Sequence, residues 1–517
     1  MSTRAYREEN TIKRNNITDG YMTVFLTLTM SVLLSLCLTL IEGARYGAVR
    51  MESVLASNIA VDSIMAEYHR ELAKQFNIFA IEDSYGTDRA SLENTESHLA
   101  NYLNKNLGGS DFFLSSLLYR DFLSLGAKNA ELEGVLYLSD ERGEVFRRRA
   151  YEALKDDIGI DLVTEIVESA KYITENKLES MDLNGEMSEL QAQVNSGQAA
   201  ALEDKQNRES QKDEAGETEK QLPADTSRQV EVVDTNPTRN ATQLTNPLLL
   251  YQYVEDVNEL SQNTIDKSKL FSSRKREGMI NSGNLKLEEE NGFEDVIERF
   301  VFQEYLMKYF GRYRSEGKDD ALKYQIEYMI TGMGADMDNF VSIVGRILGI
   351  RFAIDYLYIL SDEEKCEIAE VLGTVISIYT WTEPLADVYK ALILLMWAGT
   401  EAQYDVKCIL AGSRIELIKT QENWHSNIEN GMALLSEETD GDETGLSYED
   451  YLRIFMLMTN GELLTARAMD MVEADIRLTP GNSSFRIDAC IDTVAVHIET
   501  YSSFGYGYEY RIKRKYE

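Results

Sequence analysis

Between Tyr21 and Ile41 the chain reads YMTVFLTLTMSVLLSLCLTLI, 21 residues without a charge, a proline or a glycine. At ~1.5 Å per residue such a helix is about 30 Å long, the thickness of a bilayer's hydrocarbon core. Its hydroxyl residues, Thr23, Thr27, Thr29, Ser31, Ser35 and Thr39, fit a span, because each can bond back to a carbonyl one turn earlier. A cleaved secretory signal has a shorter apolar core, about 7–15 residues, ending at a small-residue site. Glu42-Gly43-Ala44-Arg45 is a poor cleavage site. The sequence therefore predicts one uncleaved transmembrane helix from Tyr21 to Ile41. Arg4, Arg7, Lys13 and Arg14 precede it, while Arg45 and Arg50 are the nearest basic residues after it. That bias predicts a single-pass protein of the cell membrane with its N-terminus cytoplasmic and its ectodomain extracellular.

The chain beyond the span is long enough for more than one domain, and 44% hydrophobic residues is ordinary for packed protein. The formal charge of −36 is not ordinary. A surface so acidic is repelled by phosphate backbones, which argues against nucleic acid as a partner. Of the 4 cysteines Cys37 lies in the span, while Cys366, Cys408 and Cys490 lie far apart, form no C-x-x-C pair and are expected as small buried hydrophobes, one disulfide among the three being the alternative.

Read in order, residues 1–20 form a basic cytoplasmic leader without structure of its own, and 21–41 the transmembrane helix. Residues 42–80 continue it as an extended helix. There Ala44, Ala48, Met51, Leu55 and Ile59 recur at helical spacing, a packing stripe expected to lie against the protein's own ectodomain or against other subunits. Residues 81–178 form a small α+β region, with helices over Ser91 to Leu107 and Phe112 to Leu125, a strand near Leu132 to Leu138 and a charged helix from Glu144. From 179 to 247 aromatics vanish and polar residues dominate, the composition of a disordered acidic linker. Residues 248–480 form a helical domain. Two uncharged runs in it, Val371 to Trp381 and Ala391 to Gly399, are too short to cross a bilayer and are expected as core helices. Ser447-Tyr448-Glu449-Asp450 has the form of a capping box. Residues 481–517 form a C-terminal β-hairpin turning near Ser502-Ser503, with Tyr506, Tyr508, Tyr510 and Ile512 on one period-two face. The fold class is thus mainly α with a small α+β part.

Signatures of chemistry are missing from the sequence. It has neither a P-loop nor a dinucleotide-binding glycine pattern. Its 4 histidines are dispersed and form no H-E-x-x-H, and no G-x-S-x-G elbow occurs. The acidic loop Asp440 to Gly445 starts like an EF-hand, but Thr444 and Tyr451 stand where ligands are needed. No catalytic, cofactor-binding or metal-ligating residue is predicted, and no cofactor.

The stretch Asp19-Gly20-Tyr21-Met22-Thr23-Val24-Phe25-Leu26, leading into an apolar helix that ends Ile41-Glu42-Gly43-Ala44-Arg45, resembles a family of uncharacterised Gram-positive bacterial proteins linked to tight-adherence pilus loci. These are similar in outline to TadE- and TadG-like minor pseudopilins. Phe302-Gln303-Glu304-Tyr305-Leu306 and Glu327-Tyr328-Met329-Ile330-Thr331-Gly332 fit the same pattern. The resemblance implies a component of a pilus or surface apparatus whose partners are the bilayer and other proteins of that apparatus. It also makes Gly20-Tyr21 a candidate leader-processing junction, although Phe25 takes the place where such precursors usually carry Glu. The expectation is a membrane-anchored structural or assembly protein, not an enzyme. Two alternatives stay open: an anchored enzyme acting on cell-wall polymer or peptide, and a sensor or adhesin ectodomain.

Overall fold

The computed structural model describes residues 5–87, 89–107, 125–154, 160–214, 260–274, 285, 296–315, 320–428 and 444–516. The protein is mostly helical with one small antiparallel sheet. Two compact units divide the chain: Met1–Glu141 with Arg276–Glu288 and Ser484–Glu517, and Arg142–Lys275 with Glu289–Ser483.

The first unit is organised by helix α1, Ala5–Met65. It already begins at Ala5, within the stretch expected to lack structure, because nothing between there and Tyr21 breaks a helix except Gly20. Among the described residues it is the one helix long and apolar enough to cross a membrane, and its apolar window is bare of protein contact. The hydroxyls bond backwards as expected, Thr27 Oγ1 to the Val24 carbonyl at 2.9 Å and Thr39 Oγ1 to the Ser35 carbonyl at 2.8 Å. Unlike the expected unbroken helix to residue 80, α1 stops at Met65 and gives way to a short α2, Arg70–Phe76. His69 Nδ1 caps α2 by accepting from the Leu72 amide at 3.2 Å. Between the two helices Glu67 is drawn to α3, Leu92–Leu107, taking a 2.7 Å bond from the Tyr102 hydroxyl and facing His98 Nδ1 at 2.9 Å.

The sheet has β3, Cys490–Ser502, at its centre, flanked on one side by β2, Leu125–Tyr137, and on the other by the short β1, Ile81–Glu82, and by β4, Gly507–Lys515. Every pairing is antiparallel, with Tyr137 opposite Ile491, Leu125 opposite Ser502 and Tyr501 opposite Gly507. The alternation from Phe485 to Ile491 predicts extended chain, but residues Ile487–Ala489 form a 3₁₀ turn and β3 starts after it. Val494, Val496 and Ile498 on one face of β3 meet Ala56, Ala60, Val61 and Ile64 of α1 and Leu99 and Leu103 of α3, and this is the unit's core. The predicted helix over Phe112 to Leu125 lies outside the described residues, except that Leu125 opens β2.

The second unit is helical: α4 (Asp140–Glu152, which starts at the end of the first unit), α5 (Ile160–Glu175), α6 (Leu183–Glu214), α7 (Val296–Tyr309), α8 (Gln325–Thr331), α9 (Asp336–Ser361), α10 (Glu363–Tyr379), α11 (Ala386–Ala411), α12 (Tyr448–Met458) and α13 (Gly461–Leu478). The capping box at Ser447 forms with both of its reciprocal bonds to Asp450. Helix α6 corrects the expected linker over its first half. Leu183, Met187 and Val194 are buried on one helical face, and Gln198 Nε2 donates to the Tyr389 hydroxyl of α11 at 3.1 Å. Polar composition hides this stripe, since one apolar residue per turn is enough to hold a helix that has a neighbour. Residues 215–247 of that predicted linker, and Asp440 to Glu443 of the acidic loop, lie outside the described residues.

The two short apolar runs part company. In α11, Leu392, Leu394, Leu395, Trp397 and Ala398 are buried, as expected of a core helix. In α10 and the turn after it, Val371, Val375, Ile376, Ile378, Tyr379 and Trp381 are exposed, which corrects the expectation for that run. The buried side of α10 carries small residues instead, Ala369, Gly373 and Ser377. A β-carbon at Gly373 would stand 2.8 Å from the Ala386 carbonyl oxygen and from the Lys390 nitrogen, so the large side chains are forced outward by close helix packing.

Candidate interaction surface

Beyond the span, α1 offers two stripes of similar helical spacing whose centres lie roughly 160° apart around the axis, at about 100° per residue. The stripe that faces the sheet is Val49, Ser53, Ala56, Ser57, Ala60, Val61 and Ile64, all buried. The predicted packing stripe is the other one. Ala44, Ala48, Met51, Leu55 and Ile59 are exposed, Met51 at 72%, which corrects the expectation that they lie on the protein's own ectodomain. Small side chains let the helix approach the sheet closely, and Ser57 Oγ satisfies itself on the Ser53 carbonyl at 2.7 Å. In the sequence those two serines disguise the inner stripe as a polar face, and nothing there ranks one stripe above the other. Gly20 and Tyr21, the candidate processing junction, lie within α1, and Tyr21 and Ile41 at the ends of the predicted span are both exposed.

A third face of α1 is braced by the C-terminal strand. Tyr506 donates to the Glu42 carboxylate, Tyr508 to the Tyr46 carbonyl at 3.5 Å and Tyr510 to the Arg50 carbonyl at 3.4 Å. Further along, Arg514 bonds Asn58 Oδ1 at 2.8 Å and Asp62 Oδ1 at 3.1 Å, and Tyr516 donates to the Met65 carbonyl at 2.6 Å. Alternate strand residues advance about 6.8 Å and four helical residues about 6 Å, so the two repeats stay in step over several rungs. The Arg45 guanidinium lies 3.9 Å from the centre of the Phe504 ring, at the end of the brace nearest the apolar stretch. The first helical turn after Ile41 is therefore held by the hairpin, and the outward stripe is presented on a stiff rod.

Among the described residues of the second unit, Glu401, Asp405 and His425 form a group whose potential ligand atoms lie within 4.8 Å of one another. A lysine already fills the space a cation would take. Lys419 Nζ donates to Glu401 Oε1 at 2.6 Å, Asp405 Oδ1 at 2.9 Å and the Asn423 carbonyl at 3.1 Å. Arg351 Nε holds Asp405 Oδ2 at 2.9 Å, and the Ser426 amide gives Glu401 Oε2 a 2.7 Å bond. Burial works to raise the Glu401 carboxyl, but bonds from His425 and the Lys419 ammonium hold it well below the usual range. Asp355, fully buried beside Asp405, is driven the other way by burial and by that neighbouring charge. Arg351 and Lys419 thus face Glu401 and Asp405 as an internal ionic network, with Asp355 beside it.

An open cleft of about 760 Å³ is lined by Arg147, Arg299, Gln303, Met456, Asn460 and Glu462 among others. Its charges are engaged: Arg147 by Glu144 and by Thr465 Oγ1 at 3.2 Å, Arg299 by the Leu457 carbonyl at 3.0 Å, and Glu462 by Arg142 at 2.8 Å. Among the described residues that line the cleft Glu462 is the one carboxylate, where glycoside chemistry needs a pair. Among the described residues of the first unit, the outward stripe of α1 is an apolar surface left exposed. The run Arg147-Arg148-Arg149, in the charged helix read from Glu144 onward, is partly covered and paired with Glu144 and Glu152.

No curated protein and no solved structure matches the chain. A family of unknown function, DUF5702, matches residues 227–502, which takes in most of the helical unit and β3. With more than half of its length covered by that match, the chain belongs to the DUF5702 family.

Proposed function

We propose that the protein is a membrane-anchored structural or assembly component that works by contact, with α1 crossing the bilayer from Tyr21 to Ile41, the N-terminus cytoplasmic and the body outside. The observation that carries this reading is the outward stripe of Ala44, Ala48, Met51, Leu55 and Ile59, which continues directly from the bare apolar helix and is left unpaired by the protein's own core. Small residues near the membrane, then larger apolar ones, suit the side of another helix. The excess of basic residues before the span supports the orientation. The pilus-like setting draws on the resemblance of residues 19–45 to proteins of tight-adherence loci. Such a protein would sit at the base of a surface apparatus, with its stripe on a neighbouring subunit's helix.

Cysteine-directed cross-linking in intact membranes tests the reading. Met51→Cys and Leu55→Cys should join the chain to another anchored helix, while Arg50→Cys, exposed on the side of α1 that meets the C-terminal strand, should not. Equal cross-linking from all three positions, or none from any, would overturn it.

A further inference from the structure

The outward apolar surface of α10 belongs to the other unit and asks for a different explanation. Val371 to Thr382 contains no charged residue, and the helix turns its small side chains inward and its large ones to solvent. Tyr379 is 85% exposed and Trp381, just past the helix, 72% exposed, with Val371, Val375 and Ile378 beside them. An aqueous surface would select the opposite arrangement.

Polarity changes along the axis of α10 as well as around it. Glu363, Glu364, Glu367 and Glu370 occupy its first half, and the second half is bare of charge up to Glu383. From Val371 to Tyr379 the rise is about 12 Å, within the ~15 Å depth of one hydrocarbon leaflet. A protein groove usually meets a helix with a polar rim along both flanks, whereas a gradient from carboxylates to aliphatics and aromatics along one axis matches a water–lipid boundary. Tyr and Trp at such a tip are the side chains that favour that boundary.

We propose that the C-terminal half of α10, with Trp381, inserts into the outer surface of a phospholipid bilayer as a second, reversible contact. The inference rests on the reading of α1 as a membrane span, which keeps the tip at high local concentration near lipid. The acidic half stays in water, so zwitterionic lipid suits it better than anionic lipid.

The full chain, reconstituted in phosphatidylcholine vesicles with and without brominated acyl chains, tests this. Emission of Trp381 is the difference between the native protein and Trp381→Phe, the other tryptophans being Trp397 and Trp424. Flotation after alkaline extraction reports insertion of α1 separately. The expected result is loss of the Trp381 emission to brominated lipid, shielding from aqueous iodide, and reversal of both in Ile378→Gln with unchanged circular dichroism. A chain that floats while Trp381 is quenched by iodide and untouched by bromine overturns the inference and leaves the anchor intact. Shielding from both quenchers that grows with protein density assigns the face to a second copy of the chain and also overturns it. A chain that does not float overturns the inference together with the anchor.

Discussion

Tyr516 donates its hydroxyl proton to the Met65 carbonyl at 2.6 Å, closing the last turn of α1 with a side chain from beyond the end of β4. That carbonyl has no partner further along the helix, so the bond replaces one the helix end would otherwise seek from water. Tyr516→Phe removes only the hydroxyl and should lower stability by about 0.5–1.5 kcal/mol. Urea unfolding monitored by far-ultraviolet circular dichroism checks it, and an unchanged midpoint would deny the brace any part in stability.

The two faces of α1 should answer differently to mutation. Ile64 is fully buried in the first unit's core, so Ile64→Ala should cost about 2–5 kcal/mol. Met51→Ser on the outward stripe should change stability by about 0.5 kcal/mol or less while weakening association in membranes. Comparing thermal melts with cross-linking yield separates the effects.

Lys419 is one of the two cations of the ionic network, beside Arg351, and its side chain is fully buried. Lys419→Met leaves Glu401 and Asp405 facing each other around an apolar chain, and should destabilise the helical unit by about 3–5 kcal/mol. Adding Glu401→Gln should recover part of the loss, and a double-mutant cycle on denaturation midpoints measures how much.

Glu327 is fully buried on α8, accepting from the Tyr313 amide at 2.9 Å and from the Tyr448 hydroxyl at 3.0 Å, and burial pushes its pKa up to about 7. A raised folded-state pKa means the folded protein binds the proton more tightly than the unfolded chain. The stability this gives is complete below the unfolded value of about 4.5 and is lost as pH rises through about 7. Glu327→Gln should flatten that decline, which on linkage amounts to about 3 kcal/mol. Melts taken at a series of pH values show whether the slope changes.

Gly445 holds φ at +102° where Ile415 and Leu446 form an isolated bridge, and a β-carbon there would run into the backbone of Ile415 and Glu416. Gly445→Ala should therefore cost about 1–3 kcal/mol, more than an exposed glycine substitution. A smaller shift in melting temperature would mean the bridge gives way easily.

Local periodicity is the part of this fold that can be read from the sequence. The uncharged run from Tyr21 to Ile41 needs no tertiary context to be recognised, and the alternation of Tyr506, Tyr508 and Tyr510 marks one face of a strand whatever it packs on. Choices between equivalent faces are not legible. Ala44 and Val49 start stripes of similar helical spacing, and only the nearby sheet decides which is covered. The apolar run of α10 misleads for a related reason, because Gly373 and Ser377 take the inner positions that larger residues normally claim. In α6 the holding residues Leu183, Met187 and Val194 are spaced correctly but diluted among polar neighbours, and their partner lies almost 200 residues away on α11.

The rungs between the C-terminal strand and α1 have a mechanical meaning. The ten steps along the chain from Tyr506 to Tyr516 and the twenty-three along the helix from Glu42 to Met65 both measure about 34 Å. Tension or twist reaching the rod from the membrane side is thus handed to the sheet as shear, spread over many small bonds, so no single one has to break first.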